Sequence, residues 1–286
     1  MAPVSPAERA AVVARLRAAG CVWAEDEARL LVEAAAGPET LAGLVDRRVV
    51  GEPLEYVLGW AEFCGERIAV EPGVFVPRAR TALLVTAAAA VTGPAAAVVE
   101  LCCGSGALTR ALARRLVAPR LLAAVDLDPA AVSCARRNLA DLDVPVFVGD
   151  LFDPLPVAWR GGLDLVVANA PYVPTGELTL LPAEARQHEA PVALDGGANG
   201  LAVLRRIAVA ALSWLAPGGH LVVEVGARQV DELRAVLTEI GLVAEVVRDE
   251  SLGATAMTAR RPTDMAGRRR ENAHHRSDGG KRRSDG

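Results

Sequence analysis

Residues 5–50 set alanine-rich apolar positions between arginines and glutamates at helical spacing, as in Val12, Leu16 and Ala19 and again in Ala28, Leu31 and Val32. This spacing predicts a small helical unit. Gly37-Pro38 marks a stop, and Leu41, Leu44 and Val45 restart the pattern. Between Gly59 and Pro77 the texture turns to alternation over residues 63–70. The turn signal Glu71-Pro72-Gly73 follows, then Val74-Phe75-Val76, which predicts a β-hairpin bridging two domains. From Ala95 onward, short apolar runs at 97–101, 121–127, 145–148, 163–168 and 220–225 are mostly separated by helical segments. Continuous apolar strands alternating with helices predict a mostly parallel sheet covered on both faces. The last runs, 243–247 and 255–258, leave no room for a helix between them and predict an antiparallel pair at the sheet edge. The resulting organisation is an N-terminal helical domain (1–58), a linking hairpin (59–78), an α/β domain (79–260) and a tail (261–286).

Composition narrows the classes. With 52% hydrophobic and 23% charged residues in 286, the chain is no disordered polymer. Its most membrane-like stretch, 82–99, is alanine interrupted by Thr86, Thr92, Gly93 and Pro94, so no membrane partner is expected. Residues 1–9 lack a basic leader and apolar core, which makes the cytoplasm the expected location. Cys21, Cys64, Cys102, Cys103 and Cys134 contain no C-x-x-C pair, and the four histidines never fall at ligand spacing with them, so neither disulfides nor a metal is expected. The net charge of −4 hides an asymmetry: residues 260–286 carry nine basic and four acidic side chains, leaving an acidic body. An acidic body argues against a broad nucleic-acid face and leaves only weak contact through a basic tail that is expected to be disordered.

The sharpest chemical signal is Glu100-Leu101-Cys102-Cys103-Gly104-Ser105-Gly106, directly after an apolar strand and before the helical positions Leu108, Leu112 and Leu116. Glycines there let a ligand approach the backbone at a helix N-terminus. A dinucleotide fingerprint needs a third glycine where Thr109 stands, and no Gly-Lys-Ser/Thr tripeptide occurs, which weakens both nucleotide readings. An acid opening the loop and a second, Asp126, ending the next strand suit a ligand with a ribose but no pyrophosphate. S-Adenosylmethionine is such a ligand; the competing reading is a plain strand-to-helix turn with Cys102 facing the core. Asp128, before Pro129, reads as a helix N-cap. Asp150, with Leu151 or Phe152, is placed to meet the adenine, or else is a solvated loop aspartate.

The fourth strand ends in Asn169-Ala170-Pro171-Tyr172. If that strand neighbours the first, Asn169 faces Gly104 at the switch point where open α/β sheets bind ligands. An asparagine carbonyl and a neighbouring main-chain carbonyl can accept both hydrogens of a planar NH2 group, and Tyr172 can stack on it. A simple Asn-Pro turn is the alternative for the tetrapeptide alone.

Taken together, these residues resemble the release-factor glutamine N5-methyltransferases, within the class I S-adenosylmethionine-dependent methyltransferases. The resemblance runs from about Pro53 to Arg260. It includes Pro53-Leu54-Glu55-Tyr56-Val57-Leu58-Gly59 with Phe63, Gly65 and Pro72-Gly73-Val74-Phe75-Val76-Pro77-Arg78, and Leu194-Asp195-Gly196-Gly197-Ala198-Asn199-Gly200-Leu201 with Arg205. It implies a Rossmann-like sheet and methyl transfer to the side-chain amide nitrogen of a glutamine. The implied partner is a peptide chain release factor in translation termination, met by a monomer whose N-terminal helices dock it. By position, Glu100, Cys102, Cys103, Gly104, Ser105, Gly106, Asp126, Asp150, Leu151 and Asn169 would line the S-adenosylmethionine site. Asn169, Ala170, Pro171 and Tyr172 would hold the glutamine.

Four departures mark a divergent member. Ala170 stands where the family usually has proline and Cys102 where it usually has glycine. The Pro-Glu-Thr-Glu-like segment reads Ala79-Arg80-Thr81-Ala82, and Asn199 replaces an aspartate. Two alternatives follow: methylation of the adenine exocyclic amine in nucleic acid, and a cofactor-binding paralogue impaired in catalysis.

Overall fold

The computed structural model describes residues 4–263. Four helices open the chain: α1 (Pro6–Ala18), α2 (Ala24–Ala34), α3 (Pro38–Val49) and the short α4 (Leu54–Leu58). Helix α1 starts where the sequence supplies a reciprocal cap. The Glu8 N–H donates to Ser5 Oγ at 3.2 Å, and the Ser5 N–H donates to Glu8 Oε2 at 2.8 Å. Val12, Leu16, Ala28, Leu31, Leu41 and Val45 then close one apolar cluster between the helices. Arg48 emerges beneath it, its Nε 2.6 Å from Glu27 Oε2 and its Nη1 2.6 Å from Glu184 Oε1, which ties the N-terminal helices to the C-terminal half of the chain.

A hairpin follows, β1 (Trp60–Phe63) against β2 (Glu66–Ala69). Its turn is not Glu71-Pro72-Gly73, as the alternation predicts, but Cys64-Gly65, with φ of 51° and 81°. Two positive φ values make the tight turn whose twist matches that of paired strands, and the sequence signal was masked by a cysteine in the first position. Val74 and Val76 are buried outside any strand.

The remainder runs α5 (Ala82–Val91), β3 (Ala97–Leu101), α6 (Ala107–Arg115), β4 (Leu121–Asp126), α7 (Pro129–Asn138), β5 (Val146–Val148), β6 (Leu163–Ala168), α8 (Ala183–His188), α9 (Ala202–Trp214), β7 (Leu215–Glu224), α10 (Val230–Glu239), β8 (Val243–Asp249) and β9 (Ala254–Arg260). The seven strands form one sheet in the order β5-β4-β3-β6-β7-β9-β8. The first five are parallel, and β9 is antiparallel to both β7 and β8, as the short connection predicts. Alternate strand residues bury opposite faces. Val98, Leu165, Val167 and Val222 pack with Leu84, Leu108 and Leu112 from α5 and α6, whereas Val99, Leu101, Val166 and Val223 pack with Leu204, Ile207 and Leu233 from α9 and α10.

Strand β7 begins five residues earlier than the hydrophobic run indicates. Gly218 and Gly219 lie inside it, and the Gly218 N–H donates to Arg261 O at 2.9 Å. The tail expected to be disordered falls, from residue 264 onward, outside the described residues. Strand order reverses at the β3/β6 pair, so the loops leaving β3, β4, β5 and β6 converge at one edge of the sheet.

Candidate active site

At that edge lies a cavity. Glu100, Cys102, Cys103, Gly104, Ser105, Asp126, Asp150, Leu151, Asn169 and Pro171 line it, joined by Phe75, Pro77 and Thr81 from the segment after the hairpin. The sequence reading missed these last three as site residues, although Phe75 and Pro77 lie in the stretch that carried the resemblance.

The β3–α6 loop is shaped by backbone conformation. Cys102, Gly104 and Gly106 have φ of 55°, 54° and 77°. A Cβ added to Gly104 would extend toward the Phe75 Cβ at 3.9 Å, so this glycine keeps room within the cavity. Gly106 does not line the cavity: a Cβ there would meet Ala135 at 3.1 Å, and its absence lets α6 start against α7. Cys102 holds the left-handed conformation without being glycine, a strain of the kind found at ligand sites. Burial pushes both neighbouring thiols, Cys102 and Cys103, above the ordinary cysteine range. Asn138 braces the loop from behind, its Nδ2 donating to Ser105 O and to Ala69 O, both at 2.8 Å.

Two acids sit at the ends of β3 and β4. Asp126 accepts the Gly104 N–H on Oδ2 at 2.8 Å and the Asp128 N–H on Oδ1 at 2.9 Å. Burial pushes its carboxyl pKa upward, and these N–H groups oppose the shift. Each oxygen still has a lone pair, which is what two ribose hydroxyls require. Asp128 caps α7 through the Ala130 N–H at 2.8 Å. Glu100 is 2% exposed and accepts the Thr109 hydroxyl; burial pushes its pKa up to about 8. Asp150 pairs with Arg206 at 2.6 Å. Phe152 turns away from the ligand side and stacks on Trp214, with centroids 5.4 Å apart. The cavity thus offers several carboxyl groups, a paired acceptor and a glycine-lined approach. This set of acceptors fits a cationic ribonucleoside without pyrophosphate, and S-adenosylmethionine meets that description.

Asn169 and Pro171 line the opposite wall, while Ala170 between them is 1% exposed and packs into the sheet core. Tyr172 does not line the cavity as a stacking surface. Its hydroxyl donates to Glu224 Oε1 at 2.9 Å, and its ring lies 6.0 Å from the Arg80 guanidinium carbon. The loop is held by the Leu194–Leu201 stretch. Val173 N–H donates to Leu194 O at 3.1 Å, Gly196 N–H to Val173 O at 2.8 Å, and Gln229 Nε2 to Tyr172 O at 2.9 Å. Gly200, with φ of 75°, has no room for a side chain, because a Cβ would run into that same Tyr172 carbonyl. Asn199 keeps a structural role, accepting the Leu201 N–H at 3.1 Å and donating to Glu232 at 2.8 Å.

A methyltransferase-domain family model matches residues 98–191. The "Release factor glutamine methyltransferase" of Geobacter sulfurreducens is 41% identical over 209 residues, covering 71% of this chain and 72% of its own. The "4-amino-L-phenylalanine/4-methylamino-L-phenylalanine methyltransferase" of Streptomyces pristinaespiralis is 38% identical over 206 residues, 69% of each chain. Among solved structures, a methyltransferase from Pyrococcus furiosus superposes with a TM-score of 0.53 at 14% identity, over 70% of this chain and 90% of that one, which shows the shared fold. With the glycine loop, the paired acceptor at Asp126 and the Asn169 loop in place on that fold, and with this identity across more than two thirds of both sequences, the chain belongs to the release factor glutamine methyltransferase family.

Proposed function

We propose that the protein methylates the side-chain amide nitrogen of a glutamine in a peptide chain release factor. The observation that carries this reading is Asn169: its Nδ2 is spent on Thr81 Oγ1 at 3.2 Å, and among the described residues no donor satisfies its Oδ1 or the Ala170 carbonyl. Asn169 lines the ligand cavity, so its free Oδ1 suits one hydrogen of a planar NH2 group, and the adjacent Ala170 carbonyl would take the other. S-Adenosylmethionine, when bound, supplies an electrophilic methyl group on a sulfonium sulfur. Glu100, Cys102 to Ser105, Asp126, Asp150 and Leu151 would hold it, with Asn169 at the boundary with the acceptor. Asn169 Oδ1 and the Ala170 carbonyl take the two amide hydrogens and aim the nitrogen into the cavity. Their dipoles also favour the positive charge that develops on a nitrogen whose lone pair is delocalised over an amide, and the strongly acidic methylated nitrogen then loses one proton to water. Pro171 and Phe75 shape the wall, and Tyr172 steadies the loop through Glu224 rather than by stacking.

The segment 1–58 docks the protein substrate, 59–78 links it and 79–260 carries the transfer. The separate apolar core of α1 to α4 supports that division. The protein acts as a cytoplasmic monomer, in keeping with the site of translation termination. Among the described residues no helix is long and apolar enough to cross a membrane, and exposed apolar side chains such as Val50, Val117 and Val157 are distributed along the chain.

The test is incubation with methyl-labelled S-adenosylmethionine and the host's release factors, followed by peptide mass mapping. Label on a glutamine side chain is expected; intact cofactor binding without label on any release factor contradicts the reading. A second reading, a free aromatic amino acid carrying an aryl amine, is favoured by the 38% identical Streptomyces pristinaespiralis relative.

A further inference from the structure

The two ends of an asparagine carboxamide have nearly the same shape but opposite chemistry. Only the Oδ1 end can receive the hydrogens of an acceptor NH2; turned over, Asn169 would set N–H against N–H. Shape cannot choose between these orientations, so a neighbouring group must.

That neighbour is Thr81, in the turn Ala79–Thr81 that leads into α5. Its Oγ1 is 3.2 Å from Asn169 Nδ2. A hydroxyl both donates and accepts, and by itself would tolerate either orientation. Its proton, however, is committed to Glu224 Oε2 at 2.8 Å, and a carboxylate only accepts. Thr81 can therefore offer Asn169 nothing but a lone pair, which draws the Asn169 NH2 inward and turns Oδ1 toward the cavity. Glu224 ends β7 one residue beyond Val223, the register partner of Ala168, which brings it level with Asn169. Its side chain is 4% exposed, and its other oxygen is fixed by the Tyr172 hydroxyl at 2.9 Å and Arg80 Nε at 3.0 Å.

We propose that Glu224 is a positioning residue for methyl transfer: acting through the Thr81 hydroxyl, it sets which face of the Asn169 carboxamide meets the acceptor. The proposal rests on the reading of Asn169 as the acceptor clamp. It also gives Arg80 a role, that of a charged partner for the buried Glu224 carboxylate.

Glu224→Gln is the diagnostic variant. Its carbonyl oxygen can keep Arg80 and Tyr172, which leaves its NH2 facing Thr81. The hydroxyl then points the other way and Asn169 turns over. The expected result is a fall of about 100-fold in the single-turnover methylation rate of the host's release factor. The melting temperature and the S-adenosylmethionine dissociation constant should stay near wild type. Thr81→Val, which keeps the shape and loses the hydroxyl, is expected to lose about tenfold, and Thr81→Ser to restore most of that loss. Wild-type rate in a folded Glu224→Gln, or equal rates for Thr81→Val and Thr81→Ser, overturns the proposal. If Glu224→Gln fails to fold, the valine and serine variants decide it. Asn169→Ala separates the clamp from the relay: full activity there removes both together, whereas an inactive Asn169→Ala beside an active Glu224→Gln removes the relay alone.

Discussion

The two walls of the cavity are built in different ways. The cofactor wall is assembled from successive strand ends: Glu100 lies near the end of β3 and Cys102 to Ser105 follow it, Asp126 ends β4 and Asp150 follows β5. Each residue arrives there because a parallel sheet delivers the C-terminal ends of its strands to one edge. The acceptor wall draws on segments as far as 143 residues apart, with Thr81, Asn169 and Glu224 meeting in one hydrogen-bonded chain and Gly200 and Gln229 supporting the loop from behind. A wall made by topology tolerates local change, while one made by a chain of hydrogen bonds fails wherever a link is lost.

The sharpest way to break the comparison is to remove the end of that chain. Asn169→Ala is expected to reduce methyl transfer by about 1,000-fold, the upper range for losing one positioned dipole, while calorimetry finds the cofactor dissociation constant little changed. Asp126→Ala tests the other wall. Loss of the paired acceptor should weaken cofactor binding by about 10- to 100-fold, with release-factor binding unaffected in the same titration.

The difference also explains what was legible in the sequence. The alternation of apolar strands and helices, the glycine loop, Asp126 and the N-cap at Asp128 were all readable because each depends on neighbours in the chain. Thr81 and Glu224 were not, since their meaning lies in the register that places Glu224 level with Asn169. Tyr172 looked like a stacking surface because its partner, Glu224, is 52 residues away. The hairpin turn was misplaced because Cys64 does not advertise the positive φ it adopts, whereas Glu71-Pro72-Gly73 resembles a turn and sits beyond β2. Position in the motif points Gly106 toward the ligand, but its missing side chain instead makes room for α7.

A smaller effect sharpens the role of the bracing stretch. Gly200→Ala puts a methyl group against the Tyr172 carbonyl at a φ of 75°, and should cost about 1–3 kcal/mol in a denaturant titration together with a drop in transfer rate. A further effect is electrostatic and belongs to the cofactor wall. Because burial raises the Glu100 pKa from 4.5 to about 8, the folded protein holds a proton there that the unfolded chain releases. This contribution to stability is therefore present below pH 4.5 and declines as pH rises toward 8. Melting curves of the cofactor-free protein across that range should show the decline, and Glu100→Gln should flatten it.

The central claim is that the acceptor is a protein glutamine amide. It is tested most directly by competition: one preparation charged with labelled S-adenosylmethionine, offered a release factor and 4-amino-L-phenylalanine together, and quenched within a single turnover. The account predicts label on a glutamine of the release factor and none on the amino acid. Label on the aryl amine, with the release factor unmodified, would contradict it.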